Sequence, residues 1–170
     1  MQKISKEKII SKIIKKSNLS LAVIGAIFIA DEHYKDMSEA RLLLGMNKDG
    51  ADTENEEKLI TFKNSHNEGA MLNFGSSFPA ITKAVSILFA VAVSIIYVLT
   101  LGTKGRYLLK AGLVALLGGA YSNTYDRIKR GYVVDYISIN IGNKFMKNVV
   151  YNLGDFAIMI GALLVVIGSN

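Results

Sequence analysis

The sequence predicts an all-α integral membrane protein with four transmembrane helices, a small extracytoplasmic β-rich segment and a basic amphipathic N-terminal helix, built as one domain over 1–170. Three observations lead there. Hydrophobic residues fill 51% of the 170 positions and gather into runs instead of recurring at helix or strand period. Four runs, near 18–31, 80–101, 107–125 and 149–168, reach or approach the roughly 20 helical residues that cross a hydrocarbon core about 30 Å thick. Basic residues collect on one side of these runs and acidic residues on the other, which orients them.

The N-terminus sets the pattern. Lys3, Lys6, Lys8, Lys12, Lys15 and Lys16 surround Ile9, Ile10, Ile13 and Ile14, so 1–17 reads as a helix lying on the anionic inner leaflet. The run Leu19–Ala30 is short for a span, and no small-x-small cleavage site parts it from Asp31, so it reads as an uncleaved anchor. Segment 32–79 follows on the outside, because 31–79 holds ten of the fourteen acidic residues. Within it, Arg41–Met46 and Lys58–Asn64 read as short strands joined by the turn-rich, acidic insertion around 48–57, a small sheet resting on the membrane face.

The second run carries Lys83 near one end and the third carries Lys110; both lie close enough to an interface to snorkel. The link between these runs holds Lys104 and Arg106 against no acid, which places it in the cytoplasm. Gly118-Gly119 in the third run lets helices approach closely. Beyond it, 126–148 is outside, with Tyr132–Ile141 as an extended, β-branched segment along the interface. The fourth run then returns the C-terminus to the cytoplasm.

Composition also excludes. With no Cys, the chain has no disulfide, thiol nucleophile, Cys-based metal site or Cys-linked lipid. His33 and His66 lack ligand spacing, so no metal is expected. The net charge of +6 is spent beside a membrane, so lipid is the expected surface partner and nucleic acid is not. What remains conspicuous is a pair of carboxylates. Asp155 lies about two turns inside an apolar run, where an idle ionisable group costs several kcal/mol, and Asp135 follows Gly131-Tyr-Val-Val. Without a Cys, a metal cluster or a Gly-x-Ser-x-Gly elbow, paired carboxylates are the best hydrolytic machinery available. Two that share a low-dielectric cleft titrate as a unit, one supplying an acid and the other a base. Two blander readings compete. Asp155 pairs with Lys83 or Lys110 inside the bundle, as a structural bond or the relay of a small transporter, and Asp31 with Lys35 is a solvated i,i+4 pair.

The ordered motifs carry a resemblance. Gly118-Gly-Ala-Tyr-Ser-Asn123-Thr-Tyr-Asp126-Arg127, then Gly131-Tyr-Val-Val-Asp135-Tyr, then Tyr151-Asn152-Leu-Gly-Asp155, resemble the bacterial lipoprotein signal peptidase (signal peptidase II) family. The family pattern is Gly-Gly-Ala-x-Gly-Asn-x-x-Asp-Arg, Gly-x-Val-x-Asp-Phe and Phe-Asn-x-Ala-Asp. Asp31-Glu-His-Tyr-Lys35 and Asn67-Glu-Gly-Ala-Met71 resemble its Asp-Gln-x-Thr-Lys and Asn-x-Gly-Ala-Phe boxes. Glu32, Tyr34, Ser122 and Gly154 depart from it, and Asp31, Lys35, Asn67, Asn123, Asp126, Arg127, Asp135, Asn152 and Asp155 stand as in the pattern. The resemblance implies a four-span protein that removes signal peptides from diacylglyceryl-modified prolipoproteins near the outer leaflet, as a monomer and without a cofactor. It makes Asp135 and Asp155 the catalytic dyad. It places Asn67, Asn123, Arg127 and Asn152 as substrate-binding groups lining the site, with Asp31 and Lys35 near the entrance. Asp126 is then a structural partner for nearby backbone or Arg127. A non-catalytic member of the same frame, binding lipidated peptides or partners, is the alternative.

Overall fold

Glycines spaced seven apart decide how the helices meet. The structure, a computed structural model, describes residues 6–45, 59–69, 77–140 and 149–169. Its elements in chain order are α1 (Lys6–Leu43), β1 (Ile60–Asn67), α2 (Pro79–Thr100), α3 (Tyr107–Lys129), β2 (Val133–Ile139), β3 (Val150–Tyr151) and α4 (Leu153–Ser169). Helix α3 is central and packs against the other three. Its tightest neighbour is α4. Gly112 and Gly119 on α3 face Gly161 and Gly154 on α4, and Gly168 lies against Leu109. A repeat of seven keeps one face turned to its partner along the whole seam, and the missing side chains let the two backbones touch. Gly118, one position away, turns instead to Ile27 of α1.

A methyl added at Gly112 would stand 2.7 Å from the Gly161 carbonyl oxygen, and one at Gly119 would run into the Gly154 carbonyl. Backbone cannot step aside as a side chain can. Gly119→Ala is therefore expected to part α3 from α4 and lower stability by about 1–3 kcal/mol, the usual range for overpacking; thermal unfolding in detergent measures it, and an unchanged Tm would contradict the seam.

The apolar core gathers on α3, where Leu113, Leu116, Leu117 and Ala120 meet Ile24 of α1 and Ala90, Val93 and Tyr97 of α2. Among the described residues one helix, α2, is both long and apolar enough to cross a membrane; α4 is apolar but has 17 residues. Helices α1 and α3 carry charged and amide side chains toward their ends, which lowers their mean hydropathy.

Several expectations change. The N-terminal helix and the first run are not separate elements: α1 runs unbroken for 38 residues, about 57 Å at 1.5 Å per residue, because nothing between Lys16 and Leu19 breaks a helix. The side chains of Ile9, Ile10 and Ile13 lie outside the described residues. Of the strand expected at Arg41–Met46, Arg41–Leu43 end α1 and Leu44-Gly45 form a turn, and Met46 lies outside the described residues. Leu is a strong helix former, and Gly45 takes φ +66° to close the last turn, donating its N–H to Leu42 O at 3.0 Å. The acidic insertion around 48–57 lies outside the described residues.

With that strand gone, β1 pairs with β2, not with its sequence neighbour, in an antiparallel sheet of order β1-β2-β3. The segment expected along the interface is thus the sheet's central strand, with Val133, Val134, Tyr136 and Ser138 buried. The pairing Ile137↔Tyr151 and Ser138↔Val150 takes the first residues of the fourth run into β3, so α4 starts later than its apolar run.

Candidate active site

Asp135 owes its position to an irregularity in β1. Phe62 pairs with Ile137 and Ser65 with Asp135, so Lys63 and Asn64 stand opposite the single residue Tyr136. Such a bulge re-aims side chains locally. Asp135 is 3% exposed. Its Oδ2 accepts a hydrogen bond from Asn67 Nδ2 at 3.1 Å and its Oδ1 one from Asn152 Nδ2 at 2.7 Å. Asn67 is itself oriented, since its Oδ1 accepts the Gly69 N–H at 3.1 Å.

Asp155 is held by the start of its own helix. Asn152 caps α4: its Oδ1 accepts the Asp155 N–H at 2.8 Å, while Asp155 Oδ2 accepts the Asn152 N–H at 3.1 Å. This reciprocal capping box satisfies two of the donors that a helix start leaves orphaned. Asp155 is therefore in the first turn of α4, not two turns inside a span, because β3 takes up the residues before the cap. Its Oδ1 accepts from Asn123 Nδ2 of α3 at 2.8 Å. One buried asparagine thus braces both carboxylates, Asn152 reaching Asp135 with its amide and Asp155 with its backbone.

Behind Asn123 lies a closed ionic cluster. Asp31 and Lys35 are wholly buried, not at an entrance, because α1 continues past them and turns this face onto α3. Lys35 Nζ lies 2.9 Å from Asp31 Oδ2 and 3.0 Å from Asp126 Oδ2, and donates to Ser122 Oγ at 2.9 Å and Asn123 Oδ1 at 3.1 Å. Its charge holds the Asn123 amide so that Nδ2 points at Asp155. Asp126 accepts the Val134 N–H at 3.2 Å and pairs with Arg130 at 2.6 Å, not with Arg127. Arg127 instead reaches the Asn123 carbonyl at 3.2 Å and the Gly69 carbonyl at 2.6 Å, and its buried Nε has no partner among the described residues. Asp155 meets neither Lys83 nor Lys110; the latter donates to the Thr103 carbonyl. His66 binds Glu39 at 2.6 Å and stacks on Tyr132.

Both carboxylates line one cavity of about 330 Å³, within the size range of small-ligand sites. Val85 and Phe89 of α2 and Ile158 and Met159 of α4 make its apolar wall; Asn67, Asn123 and Arg127 add donors. Asn152 supports the carboxylates from behind, and Asp31 and Lys35 do not reach the cavity.

Burial first, and the neighbouring Asp155 charge second, push the Asp135 carboxyl up to about 7, against hydrogen bonds from Asn67 and Asn152 that pull it down. The folded chain then binds this proton more tightly than the unfolded chain, whose carboxyl titrates at the ordinary 3.8. The group's contribution to stability is full below about pH 4 and is lost as pH rises toward 7. Asp135→Asn cannot ionise, so the fall in Tm between about pH 4 and 7 should be smaller in the variant than in the wild type. An equal fall in both would contradict the assignment.

Sequence reasoning passed over two groups. The capping box was legible as Asn152-x-x-Asp155. Tyr136, standing where the family pattern has Phe, puts its hydroxyl 3.0 Å from Asp31 Oδ1, and only its departure from the pattern could have flagged it.

Comparison with known proteins gives the arrangement its place. The lipoprotein signal peptidases of Alteromonas mediterranea and Brucella ovis are 32% and 28% identical over 103 and 154 residues, matching 56% and 87% of this chain and the same shares of theirs. The chain spans 56% of the Alteromonas protein and 63% of its Pseudomonas paraeruginosa counterpart, under two thirds of their length. A bacterial membrane enzyme solved by the in meso method at 2.3 Å resolution aligns with a TM-score of 0.67 and 20% identity over 89% of this chain and 87% of that one, which shows a shared fold. The family profile described as signal peptidase (SPase) II matches residues 23–169, and with most of its length so matched the chain belongs to the signal peptidase II family of bacterial membrane proteins.

Proposed function

We propose that the chain is an intramembrane aspartyl endopeptidase that removes signal peptides from lipid-modified prolipoproteins, cutting just before the diacylglyceryl-Cys at the outer leaflet. The observation that carries this reading is the pair Asp135 and Asp155, brought from a strand and a helix onto one apolar cavity and braced by Asn152. In such a pair one carboxyl is protonated and the other ionised near neutral pH. The ionised one takes a proton from water, whose oxygen attacks the scissile carbonyl carbon. The protonated one gives its proton to the carbonyl oxygen. Collapse of the tetrahedral adduct breaks the C–N bond: the leaving nitrogen takes the proton held by the base, and one hydroxyl of the adduct returns its proton to the other carboxylate, which restores the dyad.

Arg127 and the amides of Asn67 and Asn123 suit an extended peptide backbone, whose carbonyls need donors. The wall of Val85, Phe89, Ile158 and Met159 suits apolar signal-peptide residues and acyl chains. Exposed Leu88, Val91, Ile95 and Leu99 on α2, with Ile160, Leu163 and Val166 on α4, suit a lipid surround. The proposal includes four spans formed by the four helices, both termini in the cytoplasm, a monomer, and no cofactor. Relatives named lipoprotein signal peptidase favour it. A non-catalytic binding frame is less well supported, because both carboxylates, the amides and Arg127 are retained and connected.

The test is incubation of the purified protein in detergent with a diacylglyceryl-modified prolipoprotein and with its unmodified precursor. Release of the signal peptide from the modified substrate alone is expected. Failure to cut either would sink the proposal.

A further inference from the structure

A set of contacts around Asp31 has no part in the chemistry above. The Tyr136 hydroxyl donates to Asp31 Oδ1 at 3.0 Å and accepts the Leu153 N–H at 3.1 Å, so it joins α1 to the first residue of α4. On the other oxygen, Ser122 Oγ of α3 donates to Asp31 Oδ2 at 2.7 Å. Against that same oxygen lies Gly154, where an added methyl would stand 2.7 Å from Asp31 Oδ2 and 3.0 Å from Asn152 Oδ1.

Five positions at which the chain leaves the family pattern, Glu32, Tyr34, Ser122, Tyr136 and Gly154, converge here. Ser122 fills room that a Gly leaves, Gly154 gives back room that an Ala takes, and Tyr136 adds a hydroxyl to a Phe. Glu32 lies 2.8 Å from Ser122 Oγ, and the Tyr34 ring stacks on Tyr136 at 5.9 Å. A gain in volume on α3 and a loss on α4, both against one carboxylate oxygen, is a compensated pair.

We propose that the Tyr136 hydroxyl, clamped between Asp31 and the Leu153 N–H, is a positioning group that sets the height of Asp155 opposite Asp135, with Ser122 and Gly154 as the paired residues that seat the clamp. Leu153 is the residue after the cap, and its N–H has no partner within the helix. Tyrosine supplies one, and two residues later the same backbone carries Asp155. A displacement of the order of 1 Å at a reacting group costs up to about a hundredfold in rate, so a clamp on this turn acts on turnover without touching substrate. The functional half of the proposal rests on the peptidase reading; the structural half does not.

The experiment combines cleavage kinetics with unfolding in detergent. Tyr136→Phe, assayed well below its Tm, is expected to lower kcat by roughly tenfold to a hundredfold while KM stays within about twofold. Gly154→Ala should lower Tm in the wild-type background and lower it far less beside Ser122→Gly and Tyr136→Phe, a non-additive result that independent sites do not give. The triple variant Ser122→Gly/Tyr136→Phe/Gly154→Ala should turn over faster than Tyr136→Phe alone. An unchanged kcat in Tyr136→Phe, a triple variant no faster than the single, or additive changes in Tm would each overturn the clamp. If the wild type cuts nothing, the peptidase reading fails, and the Tm cycle still decides the structural half.

Discussion

Asp135→Asn and Asp155→Asn are each expected to reduce prolipoprotein cleavage by at least roughly 10² to 10⁴, the contribution of a positioned acid or base. The substitutions keep shape and remove charge, so they separate chemistry from packing. At position 135 the new amide meets two donors, Asn67 Nδ2 and Asn152 Nδ2, with a single acceptor. One contact is then mismatched, and leaving a buried donor unpaired costs about 1–3 kcal/mol. At position 155 the substitution keeps one oxygen for either Asn123 or the Asn152 N–H, so α4 starts less firmly. Both variants should stay folded and still bind lipidated substrate. Because the two carboxyls act as one unit, the double variant should cut no more slowly than the poorer single one. Wild-type rates in either single variant would refute the dyad. Steady-state cleavage of the lipidated substrate, with binding measured in parallel, decides it.

Lys35→Met is expected to be the most destabilising single change in the chain, by about 3–5 kcal/mol. Lys35, Asp31 and Asp126 are wholly buried together, so removing the ammonium leaves Asp31 without a cation and Asp126 with Arg130 alone. For a chain of this length such a loss lowers Tm by about 10 °C. Lys35→Arg should not rescue it, since a guanidinium is larger and planar where the cluster closes around a point charge. Lys35→Met/Asp31→Asn should recover part of the loss, because it removes the carboxylate left without a cation. A Tm of Lys35→Met equal to the wild type would mean that the cluster carries no weight. Cleavage by Lys35→Met should also fall, since Asn123 loses one of the two donors, Lys35 and Asn152, that turn its amide toward Asp155.

How much of this was legible follows from where each signal resides. Helices α2, α3 and α4 were legible because apolar runs are local, and Asp135 and Asp155 stood out because carboxylates are rare in such surroundings. The length of α1 was not legible, since a basic helix and an apolar helix joined end to end look like two elements. The pairing of β1 with β2 was hidden because residues 70 positions apart choose each other by shape, whereas the neighbouring Leu42–Leu44 offered a nearer but wrong partner. The burial of Asp31 and Lys35 was hidden for the same reason: an i,i+4 pair reads as surface until Asp126, 91 residues later, closes over it. Ser122, Gly154 and Tyr136 were visible as departures, but only the folded structure shows that they meet at one carboxylate, that of Asp31.

The pairing of β2 with β3 has a consequence for the cell. Asp155 carries its own orientation in the first turn of α4, and Asp135 receives its orientation from the bulge in β1. In the proposed dyad neither carboxylate suffices alone. They come together only when a two-residue strand, Val150–Tyr151, docks in one alignment; a slip of one residue would turn side chains to the opposite face. On the proposed peptidase reading, activity would therefore arise late, after the last helix has been placed, and a chain still being assembled would be harmless to its neighbours.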